Sequence, residues 1–245
     1  MSGMTMNDGF AAGLRAELVA ATRAVPVQRK APRRIALATL ATASLAGASL
    51  LMPGAYADWT PLPTELSAAE SEAIGADCVG YLQEGTQIEG NLGAVLAERR
   101  GSWDLSVVIG DDGSYGHCLL SERGGGGGVS PDGIGEAPAA DSLTVLGEGS
   151  QALDTSLWES GPKAEGHQLL YGRAGQLTSL VLHTERSGDV TATVADGWWA
   201  AWWPISNIGP NLTYDDTPVV GATLTTADGR TRELDQAGWE ALRQH

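Results

Sequence analysis

One apolar segment near the N-terminus dominates the hydropathy pattern of this chain. Ile35 to Met52 form eighteen residues without a charge. An α-helix of that length is about 27 Å long, close to the roughly 30 Å hydrocarbon core of a bilayer. Arg29, Lys30, Arg33 and Arg34 precede the segment, and no basic residue follows closely. The pattern predicts a membrane-spanning helix with the N-terminus inside the cell.

Two interpretations of this segment remain open. Pro53 would end the helix, and Ala55-Tyr56-Ala57 fits the small-residue pattern of a secretory cleavage site. The segment is then either a retained single-pass anchor, over 35–57, or a signal peptide whose cleavage after Ala57 releases a secreted domain.

The thirty-four residues before the segment favour the anchor, because secretory signals seldom carry so long a leader. Asn7 or Asp8 can cap a helix in which apolar residues recur on one face. These residues are Phe10, Leu14, Leu18 and Ala21. Residues 1–34 are therefore predicted to form a cytoplasmic tail with a short amphipathic helix.

The net charge changes sign across the apolar segment. Residues 1–34 carry six Lys or Arg against two acidic residues, a net charge of +4. Residues 58–245 carry nine against twenty-eight, a net charge of −19, and the two add to the −15 of the whole chain. A surface this acidic repels nucleic acid, so nucleic acid is not an expected partner. The positive tail would meet anionic headgroups of the cytoplasmic membrane.

Residues 58–245 alternate in the manner of β-strands after one helical segment. The helix is predicted after Pro63, with Thr64 as its cap, although Ser67 stands where a full capping box needs Glu or Gln. Its apolar face consists of Leu66, Ala69, Ala73 and Ile74. A last short helix is expected over 237–244, with Trp239 packed inward. The predicted strands cover 92–98, 103–109, 115–121, 142–146, 168–171, 176–183, 190–195, 198–203, 217–225 and 230–234.

Short Gly- and Asp-containing turns separate most of these strands, which is typical of hairpins. The fold class expected is α+β and mainly β, an antiparallel meander or sandwich-like extracytoplasmic domain. Arg123 to Asp141 interrupt the pattern with five consecutive glycines, Gly124 to Gly128, and two prolines. This composition predicts a mobile loop.

Cys78 and Cys118 are the two cysteines of the chain. Export would place them in an oxidising compartment, so we expect a disulfide rather than two buried thiols. Two cysteines at this spacing match no zinc motif, and no metal site is predicted.

Four tryptophans lie in the run Trp198-Trp199-Ala200-Ala201-Trp202-Trp203-Pro204, named here the tryptophan box. In a strand, Trp198 and Trp202 share one face while Trp199 and Trp203 share the other. Either both faces are buried in the core, or one pair forms an exposed aromatic platform for a sugar ring, a peptidoglycan segment or a partner protein. These four residues are the candidate ligand-binding site.

The run from Tyr171 to Pro204 resembles a recurrent pattern of uncharacterised actinobacterial single-pass membrane proteins. "LRAELVA" in the tail, the basic residues, the apolar segment and "AYA" are similar as well. The resemblance implies a membrane-anchored exterior domain and carries no catalytic residues to transfer. It rests on Gly172, Arg173, Ala174, Gly197 and Trp198–Pro204, with looser matches at Arg99-Arg100-Gly101 and Cys118.

Residues with catalytic or metal-binding chemistry form no recognisable motif. His117, His167, His183 and His245 are dispersed without a ligand-pair spacing. Ser160 and Lys163 satisfy Ser-x-x-Lys, but Gly161-Pro162 between them argues against the required helix. The pairs Asp111-Asp112 and Asp215-Asp216 could bind calcium or act as acid and base, although acidic pairs in turns are usually solvated. No catalytic residue and no cofactor is predicted.

Three functions remain from the sequence. The first is a non-enzymatic, membrane-anchored binding or sensing domain outside the cell, with an envelope glycan or protein as partner. The second is a transmembrane signalling regulator, anti-sigma-like but without a zinc motif, whose residues 1–34 hold a cytoplasmic partner. The third is a secreted hydrolase that uses acidic residues.

Overall fold

A computed structural model of the protein describes residues 56–85, 90–122, 124–152, 164–208 and 218–243. The predicted tail over 1–34 lies outside these residues, as does the apolar segment Ile35 to Met52. None of the helices in the described ranges has the length and apolar character needed to cross a bilayer. The elements are α1 (Ala68–Gly85), β1 (Leu92–Arg100), β2 (Trp103–Gly110), β3 (Tyr115–Ser121), β4 (Gly124–Ser130), β5 (Leu143–Ala152), β6 (Ala164–Ala174), β7 (Leu177–Thr184), β8 (Gly188–Thr191), β9 (Thr193–Ala195), β10 (Trp198–Ile208), β11 (Val219–Thr226), β12 (Thr231–Asp235) and α2 (Gln236–Arg243).

The strands form three antiparallel sheets, so the expectation of a mainly β, antiparallel fold is confirmed. The first sheet has the order β1-β2-β3-β4, the second β5-β6-β10-β9 and the third β12-β11-β7-β8. Only the first is a meander. In the other two sheets, strands that are distant in the sequence pair, β6 with β10 and β7 with β11. The chain therefore crosses from the second sheet to the third and back between these strands.

The first sheet separates α1 from the main core. Trp103, Leu105 and Val107 of β2 alternate into the main core, while Val108 belongs to a smaller cluster under α1. The predicted disulfide between Cys78 of α1 and Cys118 of β3 is confirmed, with Cα atoms 5.7 Å apart. In the chain-entropy model a cross-link over forty residues stabilises a fold by about 4 kcal/mol.

The cap of helix α1 lies three residues later than predicted, at Ser67 instead of Thr64. Ser67 Oγ accepts a hydrogen bond from the Glu70 N–H at 3.3 Å, and the Glu70 carboxylate accepts one from the Ser67 N–H at 2.9 Å. This reciprocal pair is a capping box, and its hydrogen bonds lower the pKa of Glu70. Thr64 instead donates its N–H to the Arg99 carbonyl at 2.8 Å and makes an isolated bridge to β1.

The prediction of a loop over 123–141 is wrong for its first part, because Gly124–Ser130 form β4. This strand pairs with β3 along seven residues, from Ser121 opposite Gly124 to Tyr115 opposite Ser130. A Cβ on Gly127 would lie 2.5 Å from the His117 carbonyl oxygen, so glycine permits a backbone approach that a side chain would prevent. After Ser130 the chain has no regular element until β5.

One predicted strand divides between two sheets. The segment 190–195 was expected to be continuous, yet β8 pairs with β7 in the third sheet and β9 pairs with β10 in the second. Ala192 lies at the change and donates its N–H to the Leu180 carbonyl. The following turn has positive φ at Asp196 (50°) and Gly197 (80°), as a type I′ hairpin requires. The predicted inward packing of Trp239 in α2 is confirmed, since its side chain is fully buried.

Candidate functional site

The tryptophan box forms the central part of β10, as the sequence predicted. Trp198 pairs with Arg173 of β6 and Trp202 with Leu169, so these residues share one face of the second sheet. Trp202 contacts Trp103 of the first sheet, with ring centroids 6.3 Å apart. On the opposite face, Trp199 contacts Trp239 of α2 at 6.2 Å.

All four indoles of the box are buried, which contradicts an exposed aromatic platform. Trp199, Trp202 and Trp203 have no exposed surface, and Trp198 is 7% exposed. The second sheet has the first sheet on one face and α2 on the other. The strand pattern predicted the two faces correctly, but it carries no information on what covers each face. The box therefore belongs to the core.

Tyr56 is the first described residue and lies inside the aromatic core. Its ring stacks on Trp103 at 5.0 Å and contacts Trp202 at 5.8 Å, leaving 3% of the residue exposed. The Tyr56 hydroxyl is 3.1 Å from Nδ1 of His167. Sequence analysis had assigned Tyr56 only to a possible cleavage pattern.

His167 of β6 and His117 of β3 lie near enough for their charges to interact, although they belong to different sheets and are dispersed in the sequence. His117 of β3 contacts the ring of Tyr171 at 5.2 Å, and its Nδ1 is buried without a hydrogen-bond partner. Burial lowers the pKa of His117 to about 4. Burial, together with the charge of His117, lowers the pKa of His167 to about 3. Both rings are therefore neutral at pH 7.

A buried ion pair joins the segment after Tyr56 to the sheets. Arg100 donates to both carboxylate oxygens of Glu98, at 2.8 and 3.1 Å, and neither side chain is more than 1% exposed. Arg100 also donates to the Pro61 carbonyl at 2.7 Å and the Thr191 carbonyl at 2.6 Å. Thr193 donates to Glu98 at 2.6 Å. These bonds satisfy both buried charges and fix the chain at Pro61.

His183 lies in a polar row across the outer face of the third sheet. Its Nδ1 is 2.7 Å from Asp189 of β8, and its Nε2 is 2.9 Å from the Thr223 hydroxyl of β11. Thr223 in turn donates to Glu233 of β12 at 2.7 Å. The arrangement resembles an acid–base–hydroxyl series, but the Thr223 hydroxyl already donates to a carboxylate.

The other candidates from the sequence have structural roles or lie outside the described ranges. Asp112 accepts a hydrogen bond from the Ser114 N–H at 2.9 Å, and bonding to Ser114 lowers the pKa of Asp112. Ser160, Lys163, the Asp215-Asp216 pair and His245 fall on residues that the structure does not describe. Within the described residues, no three His, Cys, Asp or Glu side chains are grouped to hold a metal ion.

Two surface grooves flank α1. The larger, about 740 Å³, runs between α1 and the outer edge of β1, and small residues such as Gly75, Gly80 and Ala94 line it. In the part of the chain that the structure describes, this edge of β1 is bonded to another segment only at Arg99. The second groove, about 650 Å³, contains four carboxylates and one arginine beside the disulfide.

Sequence reasoning missed Tyr56, the Glu98–Arg100 pair and the proximity of the two buried histidines. A signal existed for the ion pair, because Leu96, Glu98 and Arg100 occupy alternate positions and so share one strand face. No sequence signal links His117 to His167, which lie fifty residues apart in different sheets.

No protein-family model, no curated protein and no solved structure matches the chain.

Proposed function

We propose that the protein is a non-enzymatic binding or sensing domain, held outside the cell by a membrane anchor at Ile35 to Met52. The observation that supports the anchoring is the burial of Tyr56, which is 3% exposed. Cleavage after Ala57 would remove this ring from its contacts with Trp103 and Trp202. A domain whose core includes Tyr56 keeps its connection to the apolar segment.

The chain between Tyr56 and α1 supports the same conclusion. Trp59 donates its N–H to the Tyr56 carbonyl at 3.0 Å and is itself 5% exposed. Pro61 accepts hydrogen bonds from Arg100 and from the Thr191 N–H. Only Pro53, Gly54 and Ala55 lie between Met52 and this bonded segment. The folded domain would thus begin at the membrane surface, without a long linker.

A binding role is supported by the groove along β1. An open strand edge offers unpaired N–H and C=O groups, and extended segments of partners add to such edges. The groove is lined by two carboxylates, Glu72 and Asp196, and by no basic residue. With the net charge of −19 outside the cell, a neutral glycan or a basic protein segment of the envelope is the favoured partner. Residues 1–34 would remain available to a cytoplasmic partner.

The proposal is tested by the intact mass of the protein recovered from membranes and from culture medium. The matched control is Ala57→Gln, which removes the small-residue pattern at an exposed position. We expect full-length protein in the membrane fraction for both chains. Wild-type protein that begins at Asp58 in the medium, with full-length Ala57→Gln in the membrane, would refute the anchor.

A further inference from the structure

We propose that the domain senses acidification outside the cell through Tyr56, His117 and His167, a proton-binding cluster that includes the first described residue. The inference rests on the proposed anchoring, because only an anchored chain could transmit the change to the membrane.

The Tyr56–His167 contact depends on a neutral imidazole. When the neutral ring carries its proton on Nε2, the Tyr56 hydroxyl donates to Nδ1 over the observed 3.1 Å. The imidazolium has N–H groups at both positions, so Nδ1 no longer accepts this bond. Protonation of His167 therefore removes this hydrogen bond between Tyr56 and the second sheet.

The surroundings provide no compensation for a buried imidazolium. Around His167, the titratable or charged groups on the same faces are His117 and Tyr115 of β3, Tyr171 and Arg173 of β6, and the Glu98–Arg100 pair of β1, whose two charges bind each other. On β10, the shared face carries Trp198, Ala200, Trp202 and Pro204, none of them titratable. On β2, Trp103, Leu105 and Val107 face the same core. Of the charged groups, Arg173 lies over the Trp198 ring at 5.7 Å and is itself a cation.

The two histidines add to each other's sensitivity. A proton on His117 disfavours a second proton on His167, because like charges repel. Both histidines can therefore be protonated readily only when the site opens to water. His117 Nδ1 has no partner that an added proton would break, but burial alone disfavours its charged form. We infer that this opening occurs at Tyr56, because its ring covers His167 and lies outside the strands.

The size of the response follows from proton linkage. In the open form His167 regains an ordinary pKa near 6.5, while in the closed form it stays neutral at pH 5. Lowering the pH from 7.5 to 5 then raises the ratio of open to closed chain by about 30-fold for His167 alone. Because only three residues of the sequence separate Tyr56 from the proposed anchor, the opening would change how the domain is held at the membrane.

Hydrogen exchange of the full-length chain in detergent micelles tests this inference. The reporter is the peptide 56–62, which includes the Trp59 amide bonded to the Tyr56 carbonyl. The reference is β11, which lies in the third sheet. After correction for intrinsic exchange rates, we expect protection of 56–62 to fall about 30-fold between pH 7.5 and pH 5. Protection of β11 should stay higher than that of 56–62 at both pH values, because β11 reports global unfolding and 56–62 reports the smaller local opening.

Three variants distinguish the cluster from general acid sensitivity. His167→Gln keeps a hydrogen-bonding group without titrating and should abolish most of the fall. Tyr56→Phe keeps the ring, removes the hydroxyl and should lower protection already at pH 7.5. His183→Gln, on the outer face of the third sheet, should retain the wild-type profile.

Equal protection of 56–62 at the two pH values in the wild type would overturn the inference. The inference would also be overturned if protection of 56–62 fell as much in His167→Gln as in the wild type. The same holds if His183→Gln abolished the fall. If His167→Gln does not fold, the wild-type profile and Tyr56→Phe still decide the question. The measurement uses purified protein, so its failure is separate from failure of the anchoring, which the masses of recovered chains decide.

Discussion

Strands β10 and β4 each contain an unusual run of residues, four tryptophans in one and five glycines in the other, but the two strands are stabilised in opposite ways. The tryptophan box of β10 fills space on both faces of the second sheet, with three of its indoles wholly buried. The five glycines of β4 fill no space, and at Gly125 and Gly127 the missing side chain lets the backbone lie close against β3. One strand depends on its side chains and the other on their absence.

The difference shows how far the formation of each strand depends on the elements that pack against it. A buried indole removes a large apolar area from water wherever it packs, so β10 would favour burial in almost any fold. A glycine run has no such preference and loses more backbone entropy on folding than any other sequence. Strand β4 therefore forms because β3 offers it a ladder of hydrogen bonds.

The largest expected effect concerns β10. Trp202→Ala should lower the free energy of unfolding by about 4 kcal/mol, because it leaves a cavity between Tyr56, Trp59 and Trp103. Chemical denaturation with a matched exposed control, Val220→Ala, measures the effect. A loss similar to that of the control would mean that the box does not stabilise the core.

The next effect is that of pH on the histidine beside β10. His167 has a folded pKa near 3, below its unfolded value of about 6.5, so its stabilising effect is complete above pH 6.5 and declines below it. Between pH 7 and pH 5 the wild type should lose about 2 kcal/mol more than His167→Gln. Denaturation midpoints at the two pH values measure this, and equal losses in both chains would contradict it.

A smaller effect is expected where β4 touches β3. Gly127→Ala should destabilise by about 1 to 2 kcal/mol, since its Cβ would lie 2.5 Å from the His117 carbonyl oxygen and 3.0 Å from the Cys118 Cβ. Thermal unfolding under oxidising conditions, with the disulfide intact, measures the change. No change would show that β4 has room to move away from β3.

The smallest effect comes from the adjacent glycine. A Cβ on Gly128 would meet no atom within 4 Å. Gly128→Ala should therefore be neutral or stabilise by about 0.5 kcal/mol, through the lower entropy of the unfolded chain. The two variants make the same Gly→Ala change, but only Gly127→Ala puts a Cβ against the backbone of β3. Similar effects of both on stability would mean that β4 does not depend on close contact with β3.

Much of the fold could be predicted, because hydrophobic alternation and turn residues are local. The strands near 103–109 and 115–121 and the final helix with Trp239 followed from such patterns. The cap of α1 was misplaced because Thr64 and Ser67 are both good cap residues, and the choice depends on Glu70. The candidate site was harder to predict: of the two alternatives for the tryptophan box, the buried one holds and the exposed platform was wrong. The cluster of Tyr56 with two histidines depends on contacts between sheets.

The sequence alone determined the alternation that makes this a mainly β, antiparallel domain and the pairing of its two cysteines. These depend on neighbours along the chain and on the absence of any other cysteine. Tertiary structure decided that both faces of the tryptophan box are covered, that five glycines form a strand and that Tyr56 completes the core. Each of these depends on which sheet lies opposite, and that is set by contacts between residues far apart in the chain.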